Sequence, residues 1–340
     1  MGLRIQKRIN LGKFLRLNIS KSGIGVSAGV PGLRVGVGPQ GPYFSIGLPG
    51  SGISYRSKIS SRGREARATP RAEAQAMPPA EIPSPGFFAS RHEKELVKGL
   101  NDYQAGQVET ALEHFLAAAP DEPGAAILAA SILAKQDSAN YQAVELLEGV
   151  VQSDGEFPTP LMEKYVGNME VEIEITPNVT VFVSINGLAA TLLLVELYQA
   201  QRRVREAIAL LEEVEELAHE PVVTLSLCEL YASRELWDSI IERAQGIEPE
   251  DDVTLEIAIY YGLAMLEKGL SEAAASVFTK AVRRKKDRNP DLLREAAYWR
   301  AIIYEEQGKR SQANKEFQRI FAEDPNFRDV AERLADASVR

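Results

Sequence analysis

The chain has 340 residues, of which 45% are hydrophobic and 26% charged, and a formal net charge of −9. This fits two or three globular domains, or one repeat array with an extra module. A single cysteine, Cys228, excludes an intrachain disulfide and fits a reducing compartment, so the expected location is cytoplasmic. No apolar run approaches the roughly 18 residues of a membrane helix.

The charge is unevenly divided. Residues 1–91 carry 14 Lys and Arg against 3 Asp and Glu, a balance of +11. The remainder carries 25 against 45, a balance of −20, and the first acidic residue is Glu65. Such asymmetry suggests an anionic partner for the head and a cationic one for the body. The alternative is two solvated faces, because charge governs solubility and association rather than fold.

The first twenty residues are basic but have no apolar h-region, so they do not read as a signal peptide. Gln6 stands where a myristoylation signal needs Ser or Thr, which sets Gly2 aside. Residues 1–58 then alternate with period two: Leu17 and Ile19, Ile24 and Val26, Leu33, Val35 and Val37, Phe44, Ile46 and Leu48, Ile53 and Tyr55. Between them lie turn strings such as Lys21-Ser22-Gly23, Val30-Pro31-Gly32 and Pro49-Gly50-Ser51-Gly52. This spacing predicts a small basic, Gly-rich antiparallel β-meander. Gly36 to Gly41 spells G-x-G-x-x-G, but the strand-like Pro42 to Ile46 follows where a dinucleotide site needs a helix.

The string Arg16 to Gly23 and the closing Gly47-Leu48-Pro49-Gly50-Ser51-Gly52-Ile53-Ser54-Tyr55 resemble the bacterial domain of unknown function 4236 over residues 2–56. The resemblance implies a bacterial origin and a β-rich fold, and brings no catalytic residue. Residues 59–90, rich in Pro, Ala, Ser and Arg and without an apolar face, read as a flexible linker.

From residue 91 a helical pattern returns every 33 to 39 residues. Its clearest copies are Gly262, Met265, Gly269, Ala274, Phe278 and then Ala301, Tyr304, Gly308, Ala313, Phe317. Small residues let two helices approach, and the large one fills the groove between them. Further copies run through Gly99, Gly106, Ala111 and Phe115; Ala130, Ala143 and Leu147; Val195, Tyr198, Ala207 and Leu211; and Cys228, Tyr231, Trp237 and Ile240. The middle two have Arg202 and Glu235 at the turn position that Gly holds elsewhere. These six units resemble the tetratricopeptide repeat family over most of residues 91–330.

One stretch breaks the helical period. Val171 to Ile175 and Val179 to Ile185 alternate with period two around Thr176-Pro177-Asn178, a β-hairpin signal. It reads as a plug between front and back repeats, with an exposed edge for strand addition as the alternative. The expected fold is therefore α+β and multidomain. It comprises a β domain at 1–58, a linker at 59–90, front repeats at 91–154, a hairpin insertion at 155–187 and back repeats at 188–340.

No catalytic constellation appears. His92, His114 and His219 lack ligand spacing, and no nucleophile elbow, zincin motif or P-loop is present. Cys228 falls at a small packing position. The expectation is a non-enzyme without cofactor or metal, acting as a protein-binding scaffold. In such arrays the first helix of each unit lines the concave face. By register this places Glu196, Gln199, Glu229, Glu256, Glu267, Glu295, Tyr298, Ile302 and Glu305 there, an acidic groove for a basic or amphipathic segment, including the chain's own basic head. The alternative has Arg4, Lys7, Arg8, Lys13, Arg16 and Lys21 meeting the phosphates of nucleic acid or of an anionic membrane.

Overall fold

The computed structural model describes residues 82–339 apart from 154–156, 168 and 287, together with the backbone of six strands. The strands are β1 (Arg8–Leu11), β2 (Leu15–Ser20), β3 (Gly23–Val30), β4 (Leu33–Gly38), β5 (Gly41–Gly47) and β6 (Ile53–Lys58). Residues 59–81, where most of the expected linker falls, lie outside the described residues.

Helices dominate the body. α1 (Arg91–Gln104) and α2 (Val108–Ala118), then α3 (Pro123–Gln136) and α4 (Tyr141–Val151), make two antiparallel pairs. Short α5 (Pro160–Tyr165) leads into β7 (Met169–Glu174) and β8 (Thr180–Ser184). Four more pairs follow: α6 (Gly187–Ala200) with α7 (Val204–Leu217), and α8 (Pro221–Ser233) with α9 (Trp237–Ala244). The last two are α10 (Asp252–Glu267) with α11 (Ser271–Ala281), and α12 (Pro290–Glu306) with α13 (Arg310–Glu323). α14 (Val330–Val339) packs on α13 and closes the stack. Among the described residues, no helix is long and apolar enough to cross a membrane.

Local chemistry starts several of the helices. The Ser90 side chain accepts from Glu93 N–H at 3.1 Å and begins α1. Asp251 and Thr254 form a reciprocal capping box on α10. Asn289 accepts from Asp291 N–H at 2.9 Å, with Pro290 at the first helical position.

Small and large residues interlock between the helices of a pair. Ala274, Ala301 and Ala313 are buried, at 0%, 0% and 1% exposure. A methyl added at Gly262 would stand 2.5 Å from Phe278 Cζ, and one at Gly99 would stand 2.7 Å from Phe115 Cδ1. Only glycine lets those rings seat against the neighbouring helix. The turns agree with this picture. Gly106, Gly269 and Gly308 have φ of +84°, +75° and +74°, and Arg202 and Glu235 take the same left-handed conformation at +62° and +58°. The repeat geometry thus holds even where the preferred residue is absent.

The hairpin forms where the alternation places it, with Val171 opposite Val183 and Ile173 opposite Val181. Val171 and Glu172 lie between α3 of the front repeats and α6 of the back ones, and the hairpin also extends past that junction. β7 and β8 pack on α6, and the turn beyond them reaches α10 and α12. The hairpin therefore lies along the face made by the first helix of each back pair. α3, α6, α8 and α10 are buried on nearly every side through their central turns, as a helix covered on both faces must be.

Candidate functional site at the tip of the hairpin

Thr176 and Asn178 fasten the hairpin turn to the array. Thr176 Oγ1 donates to Glu256 Oε2 at 2.5 Å and accepts from the N–H groups of Asn178 and Val179 at 3.1 and 3.0 Å. Asn178 Nδ2 donates to Glu256 Oε1 at 2.6 Å. Asn289 Nδ2 donates to the Asn178 carbonyl at 3.1 Å, while Asn289 N–H donates to Asp252 Oδ1 at 2.8 Å. One turn thereby ties α10 to the start of α12. Each bond to a charged acceptor is worth about 1.5–3 kcal/mol net.

Beneath the hairpin the first helices present a row of carboxylates. Burial pushes the Glu229 carboxyl up to about 8, and repulsion from Glu256, Glu174 and Glu196 adds to the effect. Burial likewise raises Asp252 to about 6, against the lowering effect of the Asn289 N–H bond. Burial pushes the Tyr260 hydroxyl well above its usual range, with Glu256 and Glu229 adding to the shift. The neutral forms of these groups suit a water-poor, negatively charged surface.

Past the tip the face opens into a cavity of about 160 Å³. Asn178, Glu256 and Glu295 supply its polar wall, and Ile259, Tyr260, Leu263 and Leu292 the rest, with Arg328 at its edge. Arg328 has φ of +47°, pairs with both oxygens of Glu295, and sets its guanidinium 5.0 Å from the Tyr298 ring and 5.2 Å from the Trp299 ring. At the other end of the hairpin, a cavity of about 40 Å³ is lined by Ser131, Ala134, Lys135, Val171, Glu172, Leu193 and Glu196. Carboxylate oxygens beside apolar side chains can accept a cationic or hydrogen-bond-donating group. Among the described residues, no group of three or more His, Cys, Asp or Glu is arranged to hold a metal ion.

The nine residues expected on the concave face separate into groups. Glu196, Glu229 and Glu256 lie along the hairpin, and Glu256 and Glu295 line the larger cavity. Gln199 is half-buried on α6 and Ile302 half-buried on α12, whereas Glu267 is exposed at the end of α10. Tyr298 and Glu305 are already engaged within the chain. Tyr298 is buried and donates to Asp329 at 2.7 Å, and Glu305 pairs with Arg333 of α14. Glu256, expected on the concave face, is 3% exposed and bonded to the hairpin. Of the six basic residues expected to meet anions, Arg8 and Arg16 fall in β1 and β2. Arg4, Lys7, Lys13 and Lys21 lie outside the described residues.

Cys228 is buried and burial pushes its thiol up to about 12, in keeping with a packing role. His114 sits between two α1 carboxylates, with Nδ1 2.6 Å from Glu95 and Nε2 3.4 Å from Asp102. The sequence marks Thr176 and Asn178 only as a turn and does not single out Tyr260, Leu263 or Arg328. The available signal was the composition of α6, α8 and α10, which are apolar over most of their circumference and so require cover on the inner side.

Comparison with known proteins agrees with this architecture. The family model described as "Protein of unknown function (DUF4236)" matches residues 3–56. The model described as "T7SS, ESX-1 secretion system protein EccA1, N-terminal domain" matches residues 169–340, half of the chain, beginning at the first residue of β7. No curated protein matches the sequence. Among solved structures, the N-terminal domain of the EccA1 ATPase from the ESX-1 secretion system of Mycobacterium tuberculosis is 17% identical. The match covers 73% of this chain and 90% of that one, with a TM-score of 0.51, a likeness of fold. A tetratricopeptide repeat protein from Parabacteroides merdae is 14% identical over 73% of this chain and 72% of that one, with a TM-score of 0.36. With a stack of tetratricopeptide-type helix pairs behind a DUF4236 module, the chain belongs to the family of the T7SS, ESX-1 secretion system protein EccA1 N-terminal domain.

Proposed function

We propose that the chain is a non-catalytic protein-interaction scaffold whose array accepts a basic or amphipathic segment of a partner, with residues 1–58 as a basic β-meander. The observation that carries this reading is the cavity at the hairpin tip. Its volume is about 160 Å³, well above the roughly 10–15 Å³ that a single water needs. That is room for one long side chain. Glu256, held by the hairpin, and Glu295, paired with Arg328, line one part and Ile259, Leu263 and Leu292 another, and the remaining lone pairs of the two carboxylates beside apolar walls suit a lysine or arginine with an apolar neighbour. The body's balance of −20 would draw such a segment toward it from a distance. The EccA1 relative is the N-terminal domain of a secretion-system ATPase, and its likeness supports the architecture on which this reading stands.

A labelled amphipathic Lys/Leu peptide and its Glu/Leu counterpart test the reading by fluorescence anisotropy with the full chain. The Lys/Leu peptide binds, and binding weakens as salt rises because the Debye length falls from about 10 Å at 0.1 M to about 3 Å at 1 M. Leu263→Arg, which sets a cation in the cavity wall, weakens it further. Equal binding of both peptides, or no effect of Leu263→Arg, would contradict the proposal.

A further inference from the structure

We propose that the outer edge of β7 is a strand-docking site, and that its occupant is β6 of the chain's own N-terminal module. β8 occupies one edge of β7. Its other edge would otherwise leave a row of backbone donors and acceptors without partners, which invites an added strand. The backbone of β6 runs antiparallel along that edge, with Ile53 opposite Val171, Ser54 opposite Glu170 and Tyr55 opposite Met169. β6 also approaches α3, so the docked strand meets the inner face beside the front repeats. Ile53-Ser54-Tyr55 is the end of the closing motif of the module, which lies within the DUF4236 match.

Charge favours this occupant. Residues 1–58 carry 9 Lys and Arg and no Asp or Glu. β7 carries Glu170, Glu172 and Glu174 on alternate positions, with Met169, Val171 and Ile173 buried on the opposite face. Three residue pairs form a short ladder that would be weakly occupied between separate molecules. Here only residues 59–81 separate β6 from the described start of the body. A tether of that length holds the two strands at an effective concentration in the millimolar range. The module thereby becomes a built-in cover for the α3–α6 end of the inner face, and a partner's strand seeking the same edge must displace it. This contact is independent of what enters the cavity at the hairpin tip.

Cross-linking in the full chain tests the register without any ligand. In a Cys228→Ala background, Ser54→Cys with Glu170→Cys closes an intrachain disulfide under mild oxidation, seen as faster migration on a non-reducing gel. Ser57→Cys with Glu170→Cys does not, because three residues of offset, about 10 Å at about 3.4 Å per residue, exceed the usual Cα separation of a disulfide, at most about 7 Å. Equal closure of both pairs, or none by the first pair while circular dichroism shows native helices, overturns the proposal. A second readout uses charge across the Ser54–Glu170 pair. Ser54→Glu speeds hydrogen exchange at residues 169–171 several-fold and Ser54→Lys slows it. Identical exchange in the two variants also overturns the proposal.

Discussion

Glu256→Ala separates the hairpin anchor from the stability of the array. The wild-type carboxylate is 3% exposed and accepts from Thr176 Oγ1 and Asn178 Nδ2. Truncation leaves both donors without that acceptor, and two bonds to a charged acceptor at about 1.5–3 kcal/mol each set the gross loss. Part of this returns, because Glu256 is the leading charge that disfavours ionised Glu229. A net loosening of about 2 kcal/mol remains, or about 30-fold in an opening equilibrium at about 1.4 kcal/mol per decade. Native-state hydrogen exchange reads this at Ile175 and Val179, whose N–H groups donate to Val179 O at 2.9 Å and Thr176 O at 3.2 Å. The expected result is about 30-fold faster exchange across residues 169–185 and little change in α11 to α13, because array stability is a sum of near-neighbour terms. Unchanged hairpin exchange, or uniform acceleration throughout the back repeats, would refute the anchoring argument.

Glu229→Gln reports on the acidic row. The folded carboxyl titrates at about 8 against an ordinary 4.5, so between those values the unfolded state binds fewer protons than the folded one. Stability therefore falls as pH rises through this window and levels off above it. The variant should show a flatter dependence of thermal midpoint on pH from 5 to 8.5, and parallel curves would count against the row. Arg202→Gly and Glu235→Gly remove left-handed strain at exposed turns. Each should gain about 0.5–1 kcal/mol in urea unfolding, the strain of about 1–2 kcal/mol less the chain entropy of glycine, about 0.5–1 kcal/mol. A loss on substitution would mean that those side chains hold contacts worth more than the strain. Gly262→Ala drives a methyl to 2.5 Å from Phe278 Cζ. It should destabilise by about 1–3 kcal/mol through overpacking, so a neutral result in calorimetry would show that the ring can move aside at little cost.

Much of the helical array was legible in the residues because its rules are local. Ala274, Ala301 and Ala313 mark places where two neighbouring helices touch, and all three are buried. Arg202 and Glu235 fall at the turn position by spacing alone, and both take the left-handed backbone found at Gly269 and Gly308. The alternation from Val171 onward identified a hairpin because strand period is also local. The candidate site was only half legible. Helical register assigns Glu196, Glu229, Glu256, Glu295, Tyr298 and Glu305 to one face; in the structure Glu256 and Glu295 line the cavity, while Tyr298 donates to Asp329 and Glu305 pairs with Arg333. α12 has neighbours on several sides, and register alone does not say which neighbour claims which residue.

The amino-acid sequence by itself determined the helix pairs, their order and the sites of closest approach, since those depend on contacts within one repeat or between adjacent ones. Only the tertiary structure decided that the hairpin would cover the inner face. Thr176 meets Glu256 across 80 residues and Asn178 meets Asn289 across 111. Contacts at such separations depend on the accumulated rotation of successive helix pairs. No single repeat encodes that rotation, so the covered row and the open cavity beyond it emerge only when the array is assembled.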